Sequence, residues 1–342
     1  MLSKVTKETL EAGFRGESTR MVTKLIAVAT TGGDAPGMNA AIRAVARTAI
    51  ARKLRVIGFE RGYAGLLANE HRPLDARGVG GIMHQGGTIL KTSRSEEMKT
   101  SEGISKATEV LKENAVHAMV VIGGNGSFQA ACRLHEASEI PVIGIPATID
   151  NDLAGTDTTI GFDTAVNTAL EAIDRIRDTA TSHERVFVVE VMGRNRGFLA
   201  LEVGIEVGAE VILVPEMAWD IEEICRRLEG SHHSGKKSGI VVMAEGAGNC
   251  MEIADTIKAK TGFDVRLTRL GHIQRGGHPT AHSRLLACKM GAASVEFILE
   301  GRRKDMTGIQ GGRVVPVDLQ YASNASKPID DQLYRLADIL AT

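Results

Sequence analysis

Two aspartates stand two residues apart in "GIPATIDNDLAGTD", Asp150 and Asp152. If that segment is extended, residues i and i+2 face the same way. Both carboxylates can then enter one cleft, one as a proton acceptor and one as a metal partner or electrostatic support. The same string also suits an Asx-rich surface turn. Upstream, "HAMVVIGGNGSFQAACRL" reads as a buried strand, a glycine turn and a helix, the arrangement that holds phosphate against a helix N-terminus. The tip of that turn is Asn125, flanked by Gly124, Gly126 and Ser127. Mg²⁺ favours charged oxygen ligands, so Asn125 stands open as a broken ligand, a substitute for one, or a plain turn residue. Arg194 and Arg196 lie beside Gly193 in "EVMGRNRGFLAL", and Arg266, Arg269, His272 and Arg275 gather among glycines in "RLTRLGHIQRGGHP". Arginines bracketed by glycine suit bidentate phosphate recognition. A phosphate cradle, a carboxylate pair and spare arginines together point to phosphoryl transfer.

The elements that must position these residues follow from the apolar runs. "KLIAVAT", "RVIGFE", "AMVVIGG", "PVIGIP", "RVFVVEVMG", "EVILVPE" and "SGIVVMAEG" are short, apolar on both faces and separated by helix-sized segments. Such runs predict central parallel strands of α/β, doubly wound sheets, and the chain length favours two of them. "ALEAIDRIRDTATSHER", from Ala169, has helical spacing and suits a connector between halves. Ligands in such folds bind beyond the carboxyl ends of the strands, where each motif above falls. "TTGGDAPGMN" is another such end: Gly32 and Gly33 admit a phosphate to the backbone, and Asp34 or Asn39 can organise the turn. Glycine turns also arise for steric reasons alone, and the chain has no GxxxxGK[ST] loop.

Composition narrows the partners. The 342 residues carry 41 Lys+Arg against 42 Asp+Glu, a net charge of −1 with no basic block. That excludes a general nucleic-acid or anionic-membrane binder and makes phosphate binding a local affair. Cys132, Cys225, Cys250 and Cys288 are widely spaced, which argues against a zinc site or disulfide framework and fits a reducing cytoplasm. No apolar run approaches the ~18 residues of a membrane span. The polar first 22 residues lack the apolar centre of a signal peptide and read as a surface helix or disordered extension.

The strings "TGGDAPGMNAAIRAVAR", "GGTILKTSR", "VVIGG" with "GS", "TIDNDLAGTDTTIGFDTA", "SHERVFVVEVMGR" and "LGHIQRGG" occur in this order. In them the chain resembles the bacterial 6-phosphofructokinase family from about Lys24 to Gln310. The resemblance implies two doubly wound, mainly parallel-sheet domains, with 23–161 plus 274–324 binding nucleotide and 162–273 plus 325–342 binding sugar phosphate. It implies that Asp150 is the general base, taking the proton of the 1-hydroxyl of fructose 6-phosphate as it attacks the γ-phosphorus of ATP. Thr148 and Asp152 match neighbours in that site, with Asp152 near Mg²⁺. Gly32 matches a glycine meeting the nucleotide phosphates, and Arg94 an arginine that bridges to the transferring group. Ser95 and residues 124–127 belong to the same nucleotide end. Met192, Gly193, Arg194, Glu245, His272 and Arg275 match sugar-phosphate contacts. Arg185 and Arg266 match arginines reaching the 6-phosphate from a neighbouring subunit, which implies a homotetramer with shared sites. Arg43, Arg47, Arg177, Glu210 and Lys236 match parts of an effector site for ADP and phosphoenolpyruvate.

The departures from the family pattern carry expectations of their own. Similar enzymes have Asp where this chain has Asn125, so weaker metal binding is expected, with Asp152 bearing more of it. Pyrophosphate-using relatives have Asp after this site and Lys before "TIDND"; Gly126 and Ala147 stand there, which favours ATP. Ser95 stands where many relatives have an aromatic residue or Cys, implying looser adenine packing. Ser234 replaces a usual Lys, and Ala76 with Arg77 replaces a usual Arg, so a weakened effector response is expected. Two rival readings remain: a pyrophosphate-dependent or sedoheptulose 7-phosphate kinase, and a catalytically weak regulatory paralogue.

Overall fold

A computed structural model describes residues 24–341; the expected N-terminal extension lies outside the described residues. The strands are β1 (Leu25–Thr30), β2 (Arg55–Phe59), β3 (His71–Pro73), β4 (Val116–Gly123), β5 (Val142–Thr148), β6 (Ile160–Gly161), β7 (Val186–Val191), β8 (Val211–Leu213), β9 (Gly239–Ala244), β10 (Val265–Arg269), β11 (Lys304–Gln310) and β12 (Arg313–Asp318). They form two sheets, one ordered β12-β11-β5-β4-β1-β2-β3 with β6 paired to the end of β5, the other ordered β10-β7-β9-β8. Pairing is parallel except at β2–β3 and β11–β12, on the two rims of the larger sheet.

The helices are α1 (Met38–Ala51), α2 (Tyr63–Leu67), α3 (Ser101–Glu113), α4 (Asn125–Ser138), α5 (Phe162–His183), α6 (Phe198–Glu206), α7 (Ile221–His233), α8 (Cys250–Thr261), α9 (Ala281–Leu299), α10 (Leu319–Asn324) and α11 (Asp331–Leu340). Strand alternation shows why the fold is doubly wound. In β1, Ile26 and Val28 join one apolar cluster while Leu25, Ala27 and Ala29 join the one on the opposite face. In β9, Ile240, Val242 and Ala244 face the first of these clusters and Val241 and Met243 face a third. Each central strand is thus covered on both sides, which explains its near-continuous apolar run.

The segment from Ala169 lies in α5, which carries the chain from β6 in the larger sheet to β7 in the smaller. After β10 the chain returns: α9 packs on α1, β11 and β12 extend the larger sheet, and α11 packs on α6. All seven apolar runs are strands, but the very short β3 and β6, and β10, β11 and β12, escaped the sequence reading. The last three sit at or beside sheet edges, where exposed polar side chains interrupt the apolar run, as in "VRLTR" and "KDMTGIQ".

Candidate active site

A cavity of about 790 Å³ opens beyond the carboxyl ends of β1, β4 and β5. Thr31, Gly32 and Gly33 line it after β1, Gly124 to Ser127 after β4, and Thr148, Asp150 and Asp152 at and after β5. Arg94 and Ser95 reach it from the loop before α3, and Arg194 and Arg275 from the turns that follow β7 and β10.

The nucleotide-like end is built on the start of α4. Gly123 is forced, since a Cβ there would stand 2.5 Å from the carbonyl oxygen of Thr31 and 2.7 Å from Ser127 Oγ. No side chain caps α4; Ser127 and Phe128 N–H donate to the Gly124 carbonyl, and residues 124–127 bring the positive end of the helix dipole to the cavity. At Gly126 an added Cβ would meet nothing within 4 Å, so the position opens onto free space. Gly32, at φ +87°, has its N–H 3.5 Å from the Ser93 carbonyl, a long contact. Asn39 does not organise its own turn: its Nδ2 donates to Gln85 and Gly86 carbonyls and its Oδ1 accepts from Ile89 N–H, fixing the strip that leads to Arg94. Arg94 itself is exposed and has no partner among the described residues.

The carboxylate pair enters the cavity as expected, but not by strand alternation. Asn151, between the two aspartates, has φ +50°, so the segment turns sharply there. Asp150 is 3 % exposed; its N–H donates to Thr148 Oγ1 at 3.2 Å, Oδ2 lies 3.4 Å from Arg194 Nε, and Oδ1 has no partner. Burial pushes its carboxyl above the ordinary range and the charge of Asp152 pushes it further, while Arg194 and Arg275 pull it back and Glu245 adds a small upward push. A buried carboxylate with a free oxygen and a raised pKa suits a proton acceptor.

Asn125 Nδ2 donates to Asp152 Oδ2 at 2.9 Å, and Asn125 Oδ1 is buried without a partner. Hard oxygens at Asp152 and Asn125 fit Mg²⁺, yet no group of three His, Cys, Asp or Glu among the described residues could hold a metal ion. Such a pair fits an ion that arrives with nucleotide phosphates, the usual manner of Mg²⁺.

On the facing side, Arg194 sits at φ +54° after β7, with its N–H donating to Glu245 Oε1 at 2.6 Å. Gly193 cannot carry a side chain, because a Cβ would approach the Arg196 carbonyl to 2.5 Å. Met192 N–H donates to Oε1 of the fully buried Gln274, which ties β7 to the turn bearing His272 and Arg275. Arg275 reaches across to donate to the Asp34 carbonyl at 3.2 Å, lying where a Cβ on Gly33 would clash. Arg185 and Arg266 are not brought in: both pair with Asp264, at 2.6 and 3.1 Å, away from the cavity. The effector candidates form two separate groups. Arg47 donates to the Ala76 carbonyl at 2.8 Å, with Arg43 one turn earlier on α1. Buried Glu210 pairs with Lys236, near the Val207 carbonyl that accepts from Arg177.

The sequence profile of the phosphofructokinase family matches residues 25–298. The chain belongs to the phosphofructokinase family. An ATP-dependent 6-phosphofructokinase of Clostridium tetani is 52% identical over 316 residues, 92% of this chain and 99% of that protein. ATP-dependent 6-phosphofructokinase 1 of Thermus thermophilus is 53% identical over 320 residues, 93% of this chain and 99% of that protein. Among solved structures, phosphofructokinase from Saccharomyces cerevisiae superposes with a TM-score of 0.84 at 35% identity, over 88% of this chain and 45% of that one. A pyrophosphate-dependent phosphofructokinase from Marinobacter aquaeolei shares the fold, with a TM-score of 0.81 at 24% identity over 90% of this chain and 86% of that one.

The phosphofructokinase profile ends before Lys327, a residue missed in the sequence whose ammonium donates to Asn151 Oδ1 at 3.0 Å. A lone lysine before a proline carries no signal of its own. Gln274 sits inside a quoted motif, and its burial is what singles it out.

Proposed function

We propose that this chain is an ATP-dependent 6-phosphofructokinase, transferring the γ-phosphoryl group of ATP to the 1-hydroxyl of fructose 6-phosphate to give fructose 1,6-bisphosphate. The observation that carries the reading is Asp150: it lines the cavity that also receives the α4 N-terminus, and it is buried, raised in pKa and left with one unpaired oxygen. The Clostridium tetani and Thermus thermophilus proteins, alike over nearly their whole length and named ATP-dependent 6-phosphofructokinases, support it.

Asp150 accepts the hydroxyl proton as bonding to phosphorus advances. Residues 124–127, with Gly32, cradle the nucleotide phosphates, Ser95 stands at the adenine, and Arg94 swings onto the transferring group. Asp152 and Asn125 would hold Mg²⁺, which offsets phosphate charge when bound. Thr148, Met192, Gly193, Arg194, Glu245, His272 and Arg275 orient the sugar phosphate. Arg185 and Arg266 stand away from this chain's own cavity; by the family resemblance they meet the 6-phosphate of a neighbouring copy in a homotetramer. Residues 23–161 with 274–324 form the nucleotide domain and 162–273 with 325–342 the sugar domain.

The donor is ATP rather than pyrophosphate because Gly126 leaves open space. Regulation by ADP and phosphoenolpyruvate is weak, given Ser234 and Ala76 at effector positions where the family pattern usually has Lys and Arg. No helix among the described residues is long and apolar enough to cross a membrane, and with four free thiols the reading is a glycolytic enzyme of the cytoplasm.

A matrix of ATP and pyrophosphate against fructose 6-phosphate and sedoheptulose 7-phosphate tests the proposal. Turnover concentrated in the ATP and fructose 6-phosphate cell is expected. Turnover concentrated elsewhere, or none in any cell, overturns it.

A further inference from the structure

Asn151, the residue between the two aspartates, is 6 % exposed and left-handed in backbone. A non-glycine residue keeps that conformation only where its surroundings hold it. Lys327 Nζ donates to Asn151 Oδ1 at 3.0 Å and to the Asp157 carbonyl at 2.9 Å, closing the two ends of the loop that carries Asp152. The chain beside it is fixed too, because Leu153 and Ser326 form an antiparallel bridge. The backbone carbonyl of Lys327 accepts from Arg196 Nη2, two residues beyond Arg194. Glu216 holds that segment by accepting from Gly197 N–H at 3.0 Å and pairing with Arg196 at 3.4 Å. Both Lys327 Nζ and the Arg196 guanidinium lie over the Phe198 ring, at 5.2 and 5.3 Å. One residue from the C-terminal return thus touches the turn of Asp150 with its side chain and the turn of Arg194 with its backbone.

We propose that Lys327 is a positioning residue for the transfer reaction, fixing the left-handed turn between Asp150 and Asp152 and registering it against the turn that carries Arg194. The inference rests on the reaction proposed above. The side chain needs donors rather than bulk, since two carbonyl oxygens converge on it. Burial draws the ammonium down to about 8, opposed by Asp157, Asp152 and Glu202 of α6 and reinforced by Arg196, so it carries its charge at neutral pH. Lys327 reaches the nucleotide end only through the loop of Asp152, which accepts from Asn125 Nδ2 at 2.9 Å.

Lys327→Met keeps the length and removes the donors. The expected result is a kcat with ATP and fructose 6-phosphate lower by about 10- to 100-fold, as small displacements of reacting groups produce. KM for ATP is expected to change less than kcat, since Lys327 reaches the nucleotide end only through Asp152. In hydrogen exchange, amides of 148–158 exchange faster while those of β4 keep their protection. A kcat within about twofold of wild type, with exchange of 148–158 unchanged, overturns the proposal. If this variant loses protection throughout, Lys327→Leu, which likewise has no donor, is read by the same two criteria. If the wild type does not phosphorylate fructose 6-phosphate, the reaction assigned above fails. Exchange at 148–158 then decides alone whether Lys327 fixes the turn.

Discussion

Asn125 donates its amide N–H to Asp152 across 2.9 Å, so a hydrogen bond joins two positions at which the family pattern has two carboxylates. The amide steadies Asp152 without any cation, and its own Oδ1 remains buried and unpaired. Asn125→Asp would replace a charge-assisted hydrogen bond with like charges at contact distance.

The two consequences have opposite signs. Without metal or nucleotide, Asn125→Asp is expected to lower stability by about 1–3 kcal/mol, the usual value of a hydrogen bond to a charged group. With Mg²⁺ and ATP, it is expected to lower the magnesium concentration needed for half-maximal rate. Thermal melts with and without EDTA, beside a magnesium titration, check both. An unchanged magnesium requirement would mean that the missing charge is irrelevant.

Asp150→Asn is expected to reduce kcat by about 10²- to 10⁴-fold, the range for a lost general base, with little change in nucleotide binding. The same substitution raises stability at neutral pH. Since folding lifts this carboxyl above its unfolded value, its favourable contribution is full below the unfolded pKa and is lost as pH rises through the folded one. Above that window the native state carries a buried charge that Asn does not have. Melting curves of the metal-free protein should therefore show the variant ahead at pH 7.5, with the gap closing toward pH 3.5. On the acid side, Arg194→Met removes a group that pulls the carboxyl down, so the acid limb of kcat against pH moves upward.

The carboxylates Glu202 and Glu206 on α6 offer a check away from the chemistry. Burial raises the Glu202 carboxyl first, then the charges of Glu206 and Asp163, with Lys327 opposing. By the same sign, its ionisation works against folding as pH climbs past the ordinary carboxylate range. Glu202→Gln is expected to raise the melting temperature at pH 8 and leave it unchanged near pH 4.

What the sequence disclosed follows from how local each signal is. β1, β4, β5, β7 and β9 are legible because strands covered on both faces must be apolar throughout. β10 hides because its exposed Arg266 and Arg269 break the run. Asp150 and Asp152 were placed in one cleft by an alternation that Asn151 abolishes; the sharp turn delivers them instead. Neither that turn nor its anchor could be read in advance, because Lys327 meets Asn151 only through the return of the chain from the second sheet.

Gly126 separates fold from donor choice. It is the second residue of α4, where a carboxylate is favourable to the helix dipole, and an added Cβ there would meet nothing within 4 Å. Gly126→Asp should consequently fold as well as wild type or better. Its charge would stand in the space assigned to the nucleotide phosphates, and like-charge juxtaposition costs several kcal/mol. A fall in kcat/KM for ATP on the order of 100-fold is expected, a difference of about 2.7 kcal/mol. KM for fructose 6-phosphate, bound from the Arg194 side, should change far less. Steady-state kinetics with each substrate varied in turn gives the answer. Undiminished use of ATP by a folded Gly126→Asp variant would move the phosphates away from the α4 N-terminus.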